Sequence, residues 1–424
     1  MTRKSWEASR RHMLTMIGMA CLIAWGVWWT ACLRQNHLIG AQRTWIPAWQ
    51  ESLGLDFLNN YHASRHWLAG GDVYREPFGD PMQRRFCYPP CVLPLFAWCA
   101  YGSPRTAVRI WTVSLILAAG FGVWCACHSR RQLHLWPVPV PFALASMLFS
   151  APFLFALERG NYDTAVVPLL ILAACALTKR SGVRDLAAGT CLAVAAGMKV
   201  YPAFVLFGLL PLRRYRALAC SILVGSLILS FHFQDLPQFW ANVQDLIARQ
   251  SPLALGGIAP VVHTLSSCWP LLWRDTPWAI LSRIPGTLAA LGLLAPLVLL
   301  ISYRIFHCPS PRSLLLPYLL WLAAAATFLP PISIDYNLVF LPLACIAVWD
   351  RRDPVAVHLC MAFTLLWAQP IGVPIGPVLL LGFKYLTLAA VAVSLANRAQ
   401  EQAALGSKDG ARAVDADEPV PVAA

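Results

Sequence analysis

Apolar runs dominate this chain, and polar residues collect between them. The first run, Met13 to Leu33, is long enough to cross a bilayer, follows a basic segment and carries Trp25, Trp28 and Trp29 towards its far end. A cleaved leader would have a shorter apolar core closed by small residues, so the pattern predicts an uncleaved first helix with a cytoplasmic N-terminus. Further runs lie at Ala107–Cys127, Leu135–Leu157, Ala165–Leu177, Leu186–Met198, Tyr201–Leu212, Ala217–Phe231, Pro285–Phe306, Leu314–Leu329, Leu338–Val348, Val355–Ala368 and Pro374–Leu395. Several are short for a full crossing. Leu186–Met198 and Tyr201–Leu212 meet at Lys199-Val200-Tyr201-Pro202 and read as a pair that starts and finishes on one side.

Basic residues set the expected orientation. They fall in short clusters between the apolar runs: Arg10-Arg11, Arg130-Arg131, Lys179-Arg180, Arg213-Arg214-Arg216 and Arg351-Arg352. Cytoplasmic loops carry such an excess of Lys and Arg. Cys91 to Tyr101 is too short to span and is read as a juxtamembrane helix or re-entrant turn in the outer interface, which leaves all five clusters in the cytoplasm. The expected architecture is an all-α polytopic membrane protein with about twelve transmembrane helices and both termini inside. Its membrane domain would occupy residues 1–397, followed by a disordered cytoplasmic tail over 398–424 that is rich in Ala and charge. Two long loops then face outward, 34–90 and 232–284, with short outer turns at Glu158–Asp163 and Ser333–Asn337.

Composition closes off other classes. The chain is 58% hydrophobic and 12% charged, with a net charge of +13 and a mean hydropathy of +0.58. Soluble domains carry about a quarter charged residues. The basic residues form no single face, so orientation explains them better than nucleic-acid binding. Most of the fourteen cysteines sit inside apolar runs, where a thiol behaves as a small hydrophobe. Cys87-x-x-x-Cys91 and Cys125-x-Cys127 lack the spaced second pair of a zinc site, so no metal site is expected.

Candidate chemistry lies on the outer side. Ionisable groups near hydrocarbon are costly and mark function or an ion pair. Asp56, at the start of the first outer loop, reads equally as a general base made more basic by partial desolvation, or as the cap of a helix over Phe57–Leu68. Lys199 would bind a phosphate as a point charge, or snorkel to the interface. Arg159 would do the same, or pair with Glu158 next door. Asn161 and Asp163 fit helix caps. Asp335-Tyr336-Asn337 would cap the next run or turn polar groups into a shared outer cavity. Arg84 and Arg85 would meet lipid phosphates. Tyr88 and the tryptophans of the second loop, Trp240, Trp269, Trp273 and Trp278, would stack on sugar faces or form an interface belt. His62 and His263 are lone histidines in polar loops.

In order along the chain, these segments resemble glycosyltransferase family 87, integral-membrane mannosyltransferases of the GT-C class. The resemblance rests on Asp56-Phe57 with Tyr61 and Ala63, Leu68-Ala69-Gly70-Gly71-Asp72-Val73-Tyr74, and Phe86-x-Tyr88-Pro89-Pro90. It continues through Gly160-Asn161 and Ala195-x-x-x-Lys199-x-Tyr201-Pro202 to Leu212-Arg213-Arg214. It covers about Leu53 to Ala217, with a looser match at Asp335-Tyr336, and the family's usual Gln before the Asn is absent here. The resemblance implies a GT-C fold with a cavity facing the extracytoplasmic side of the cell membrane. It further implies a polyprenyl-phosphate sugar as donor, typically carrying mannose, and a glycan or glycolipid as acceptor. No cofactor is implied. Asp56 takes the position of the base, and Lys199, Arg159, Asn161, Tyr88, Tyr201, Asp335 and Tyr336 are the candidate substrate-binding residues. A transporter of lipid-linked sugars, or a polysaccharide polymerase or ligase working through its second loop, remains open from the sequence.

Overall fold

The computed structural model describes residues 3–35, 53–133, 135, 138–249, 286–308, 311–327, 339–348 and 386–404, and these are helical with no strand among them. In chain order the helices are α1 (Arg3–Gln35), α2 (Leu55–Leu68), α3 (Val92–Phe96), α4 (Pro104–Gln132), α5 (Val140–Leu148), α6 (Ala151–Arg159), α7 (Asp163–Leu177), α8 (Gly182–Met198), α9 (Tyr215–Ser230) and α10 (Leu236–Arg249). They continue with α11 (Gly286–Phe306), α12 (Leu315–Ala326), α13 (Phe340–Val348) and α14, residues 386–404. Two are long and apolar enough to cross a membrane, α1 over Ser5–Gln35 and α4 over Pro104–Gln132. The pairs α5–α6 and α9–α10 reach that standard only as bent units, at 59° and 76°.

The runs do not all become straight helices. Leu135–Leu157 breaks between α5 and α6, where Ser150 is extended and Pro152 opens the second piece; a proline is compatible with a first helical turn but not with a continuing one. Tyr201–Leu212 forms a tight 3-10 helix over Tyr201–Leu209 with Pro202 in its first turn. The segment after Cys91 is α3 followed by a 3-10 turn, Ala97–Tyr101. The expected tail boundary at Asn397 needs correcting. α14 runs past it to residue 404, with Arg398 and Ala399 buried and Gln402 Nε2 donating to Ser313 Oγ at 2.5 Å.

Helix direction sorts the chain into two ends. At about 1.5 Å per residue, the 29 residues of α4 separate its termini by roughly 43 Å. Its start lies beside α2, where Tyr61 donates to Gly102 O, and its last turn reaches Ser313 O through Ser129 and Ile346 O through Arg130. α5 and α6 return, α7 leaves again, α8 comes back to Lys199, and the 3-10 helix leads out to Arg213. Arg214 then binds Asp185 and the carbonyls of Leu177 and Lys179. Arg130-Arg131, Lys179-Arg180 and Arg213-Arg214 therefore gather at the end opposite Asp56. Arg351-Arg352 lie outside the described residues.

A buried core joins the helices. Trp321, Tyr318 and Phe340 are fully enclosed between α12, α13 and their neighbours, and Phe57, Phe96 and Trp111 stack where α2 meets α3 and α4. Aromatic contacts of this kind add about 0.5–1.5 kcal/mol each beyond area burial. They fix α2 against the bundle, and so fix the carboxylate that α2 carries.

Candidate active site

Two glycines bring the site together. Gly54 caps α2 in a left-handed conformation, φ 79°, and Gly160 ends α6 in another, φ 65°. Gly54 N donates to Glu158 O at 2.7 Å, and Trp111 Nε1 donates to Gly160 O at 2.8 Å. A Cβ on Gly160 would lie 2.9 Å from Gly54 Cα and 2.8 Å from Phe57 Cβ, so the backbones touch because neither carries a side chain there. Gly160→Ala combines left-handed strain with a backbone clash and is expected to cost about 2–3 kcal/mol, read as a lowered melting temperature in detergent. A variant as stable as the parent would contradict the close approach.

That contact places Asp56 opposite Arg159 and Asn161. Asp56 is only 2% exposed. Its Oδ1 accepts from Arg84 Nη1 at 2.7 Å and Arg159 Nη2 at 2.8 Å, and its Oδ2 from Asn161 Nδ2 at a longer 3.3 Å. Arg84 in turn binds both oxygens of buried Asp80 and the carbonyl of Leu55. On the far side of Asn161, Lys199 Nζ donates to Asn161 Oδ1 at 3.0 Å and to Asp163 Oδ2 at 2.8 Å, and Tyr201 OH donates to Asp163 Oδ1 at 2.5 Å. Asp56, Asp80 and Asp163 thus balance Arg84, Arg159 and Lys199 in one network.

The segment between α2 and α3 delivers Arg84 through its own packing. Asp80 Oδ2 accepts from the backbone N–H groups of Met82 and Arg84, tightening a turn at Gln83. Phe86 packs edge-on against Tyr74 and Phe78, and Asn242 of α10 donates to the carbonyls of Tyr74 and Phe86. The described part of the second loop therefore braces the first. Tyr88 packs against Tyr162, ring centroids 5.2 Å apart, and Lys199 Nζ lies 5.2 Å over that same Tyr162 ring.

Several expectations change. Asp56 does not cap α2: the cap is Gly54, and the carboxylate points across the fold. Arg159 reaches Asp56, and Arg84 turns inward while Arg85 stays exposed. Burial pushes the Asp56 carboxyl up, but the Arg159 and Arg84 guanidiniums outweigh it and hold it well below the usual carboxylate range. A carboxylate made more basic by desolvation is thus not what the ion pairs produce. Burial pushes the Cys87 thiol up to about 11, so it is neutral and a poor nucleophile near neutral pH. Asp335, Tyr336 and His263 lie outside the described residues.

Sequence reasoning assigns no role to Asp80, and none to Asp163 beyond a cap. The spacing Asp80-x-x-x-Arg84 was the available signal for the first, since such a pair is in reach across one turn. Asp163 had none: Lys199 lies 36 residues away. Asn59, one turn along α2 from Asp56, was also missed. Both polar atoms of its amide are buried with no hydrogen-bond partner, as is Asn60 Oδ1. An unsatisfied buried amide costs about 1–3 kcal/mol, so Asn59→Leu is expected to hold or raise stability, by about 1 kcal/mol. A drop in melting temperature would show that the amide has a structural partner.

A family model described as glycosyltransferase family 87 matches residues 86–330. The match begins after Asp56 and Arg84 and includes Tyr88, Arg159, Asn161, Asp163, Lys199 and Tyr201. No curated protein and no solved structure matches the chain.

Proposed function

The chain belongs to glycosyltransferase family 87, and on that premise we propose that it transfers mannose, or a related hexose, from a polyprenyl-phosphate sugar to an acceptor hydroxyl with inversion. The observation that carries this reading is the convergence of three buried carboxylates, Asp56, Asp80 and Asp163, with three cations, Arg84, Arg159 and Lys199, at the end of the bundle remote from the basic clusters. A sugar phosphate needs cations for its leaving group, and an alcohol nucleophile needs a base; both lie within one network.

In the proposed step the acceptor oxygen bonds to the anomeric carbon as the bond from that carbon to the phosphate oxygen breaks. The acceptor proton goes to Asp56 Oδ2, the oxygen with the longer contact, and polyprenyl phosphate leaves with the electron pair. Lys199, with Arg159 or Arg84, stabilises the charge on the departing phosphate. The Asn59 amide would receive a neighbouring sugar hydroxyl, which can donate and accept at once. Tyr88 and Tyr162 would offer ring surface to the sugar. The prenyl chain would lie along apolar helix faces, and the acceptor would be a glycan or glycolipid at the extracytoplasmic face of the cell membrane.

Two guanidiniums on Asp56 make it a weak base until one moves. A donor phosphate that takes an arginine for itself would raise the basicity of Asp56 when substrate arrives. The sign follows: the carboxyl sits below its ordinary range in the free enzyme and rises in the loaded one. The acid limb of kcat is therefore expected at higher pH than that of kcat/KM for the donor, since the first reports the complex and the second the free enzyme. Coincident limbs would remove the coupling. Incubating purified protein with radiolabelled polyprenyl-phosphate mannose and candidate acceptors tests the reaction itself; binding of donor without any labelled product would favour transport instead.

A further inference from the structure

At the opposite end of the bundle, a cavity of about 350 Å³ opens between the 3-10 helix and the C-terminus of α11. Arg180, Arg213 and His307 line it with Leu212, Ile305 and Phe306, and no acidic side chain does so among the described residues. Asp185, the acid of this region, is bound to Arg214 at 3.1 Å. The cavity is therefore cationic without an internal counter-ion.

Its geometry is built rather than incidental. Arg213 sits at φ 54°, in the left-handed region where glycine would be unstrained. This conformation, shared among the described non-glycine residues with Gln83 and His232, turns the chain sharply at Arg213. The Arg213 side chain lies 4.1 Å over the Phe306 ring, which holds the guanidinium at the mouth. His307 Nδ1 donates to Tyr303 O at 2.8 Å, which orients the ring.

An apolar track leads to the cavity. Leu299, Tyr303 and Phe306 project from one side of α11 at 68%, 61% and 41% exposure, at helical spacing; Phe207 is exposed on the 3-10 helix that precedes Arg213, and Leu210 just past its end. Acyl chains fit such a track, and a phosphate fits its cationic end. Basic pockets between helices on the cytoplasmic side of membrane proteins take anionic head groups.

We propose that this cavity binds the phosphate head group of an anionic phospholipid, its acyl chains lying along α11 and the 3-10 helix. Scattered basic residues placed only for orientation would not need a stacked guanidinium and an adjoining apolar track. The site is independent of the transfer reaction, so it stands or falls apart from Asp56.

The test uses the full chain in detergent, titrated with phosphatidylglycerol, phosphatidylcholine or inorganic phosphate while thermal stability and native mass are followed. Phosphatidylglycerol is expected to bind and stabilise, with phosphatidylcholine at least tenfold weaker and inorganic phosphate without effect. The double variant Arg180→Gln/Arg213→Gln should lose at least tenfold in phosphatidylglycerol affinity. A control, Arg131→Gln/Lys179→Gln, removes the same charge from the same end outside the cavity and should bind as the parent does. No preference for phosphatidylglycerol, retention of binding in the first variant, or equal loss in the control would overturn the proposal. An equal shift with inorganic phosphate would assign the cavity to a soluble anion and overturn the lipid.

Discussion

Asp56→Asn is expected to lower transfer from polyprenyl-phosphate mannose by about a thousandfold or more, within the range that a positioned base supplies. Asparagine keeps the shape and one acceptor oxygen but cannot take a proton. The network predicts how the loss will divide. Arg84 keeps Asp80 as its partner, while Arg159 gives up its ion pair with Asp56. Freed positive charge favours an incoming phosphate, so donor binding should hold or tighten while kcat collapses. Leaving Arg159 without its carboxylate costs stability, and a melting curve must accompany the rate. Asp56→Glu is the useful companion. It retains the charge but moves it by one methylene in a fully packed site, so activity should fall less than in the asparagine variant. Transfer at the parental rate by a folded Asp56→Asn protein would end the assignment of the base. Weakened donor binding with unchanged kcat would instead make Asp56 a holder of the two arginines.

What the sequence made legible follows from how each interaction is encoded. α1 and α4 are unbroken apolar runs, and a run that long has one physical solution in lipid. The placing of Arg130-Arg131, Lys179-Arg180 and Arg213-Arg214 opposite Asp56 is likewise a property of order along the chain, because α4, the bent pair α5–α6, α7 and α8 alternate in direction. Asp56, Arg159, Asn161 and Lys199 stand out in the sequence as charges or amides beside apolar runs, and the structure brings these four into one network. Their partners were harder to see. Arg159 looked satisfied by Glu158 because neighbours in sequence are visible, whereas Asp56 lies 103 residues away. The contact of Gly54 with Gly160 brings α2 onto the end of α6, and glycine carries no polarity to announce it. The breaks inside Leu135–Leu157 and at Tyr201 depend on prolines whose effect is local but whose consequence, a bent pair and a tight helix, is tertiary. The basicity of Asp56 is hidden for the same reason: its burial follows from the sequence, and two arginines on one oxygen do not.

Lys199→Ala is the second large effect, and a single variant would mislead. Lys199 binds Asp163, a carboxylate with no exposure, at 2.8 Å. Removing one partner of a buried pair typically costs about 3–5 kcal/mol, because the other charge is left uncompensated. Lys199→Ala should therefore unfold readily and lose activity for a reason unrelated to the donor. Lys199→Ala/Asp163→Asn removes both charges, keeps the acceptor for Tyr201 OH and should recover most of that stability. Once folded, the double variant separates two roles. If Lys199 meets the donor phosphate, the double variant should show a donor KM raised about tenfold or more, and Lys199→Arg, which keeps the charge, should lose less. If Lys199 only neutralises Asp163, the double variant should transfer with the parental KM, and Lys199→Arg should gain nothing over it. The comparison also bears on Asn161. Its Oδ1 accepts from Lys199 and its Nδ2 donates to Asp56, so the amide orientation is set by both charges at once. A shift of the kcat acid limb in the double variant would show that the two halves of the site are coupled through that amide. An unmoved limb would make them independent.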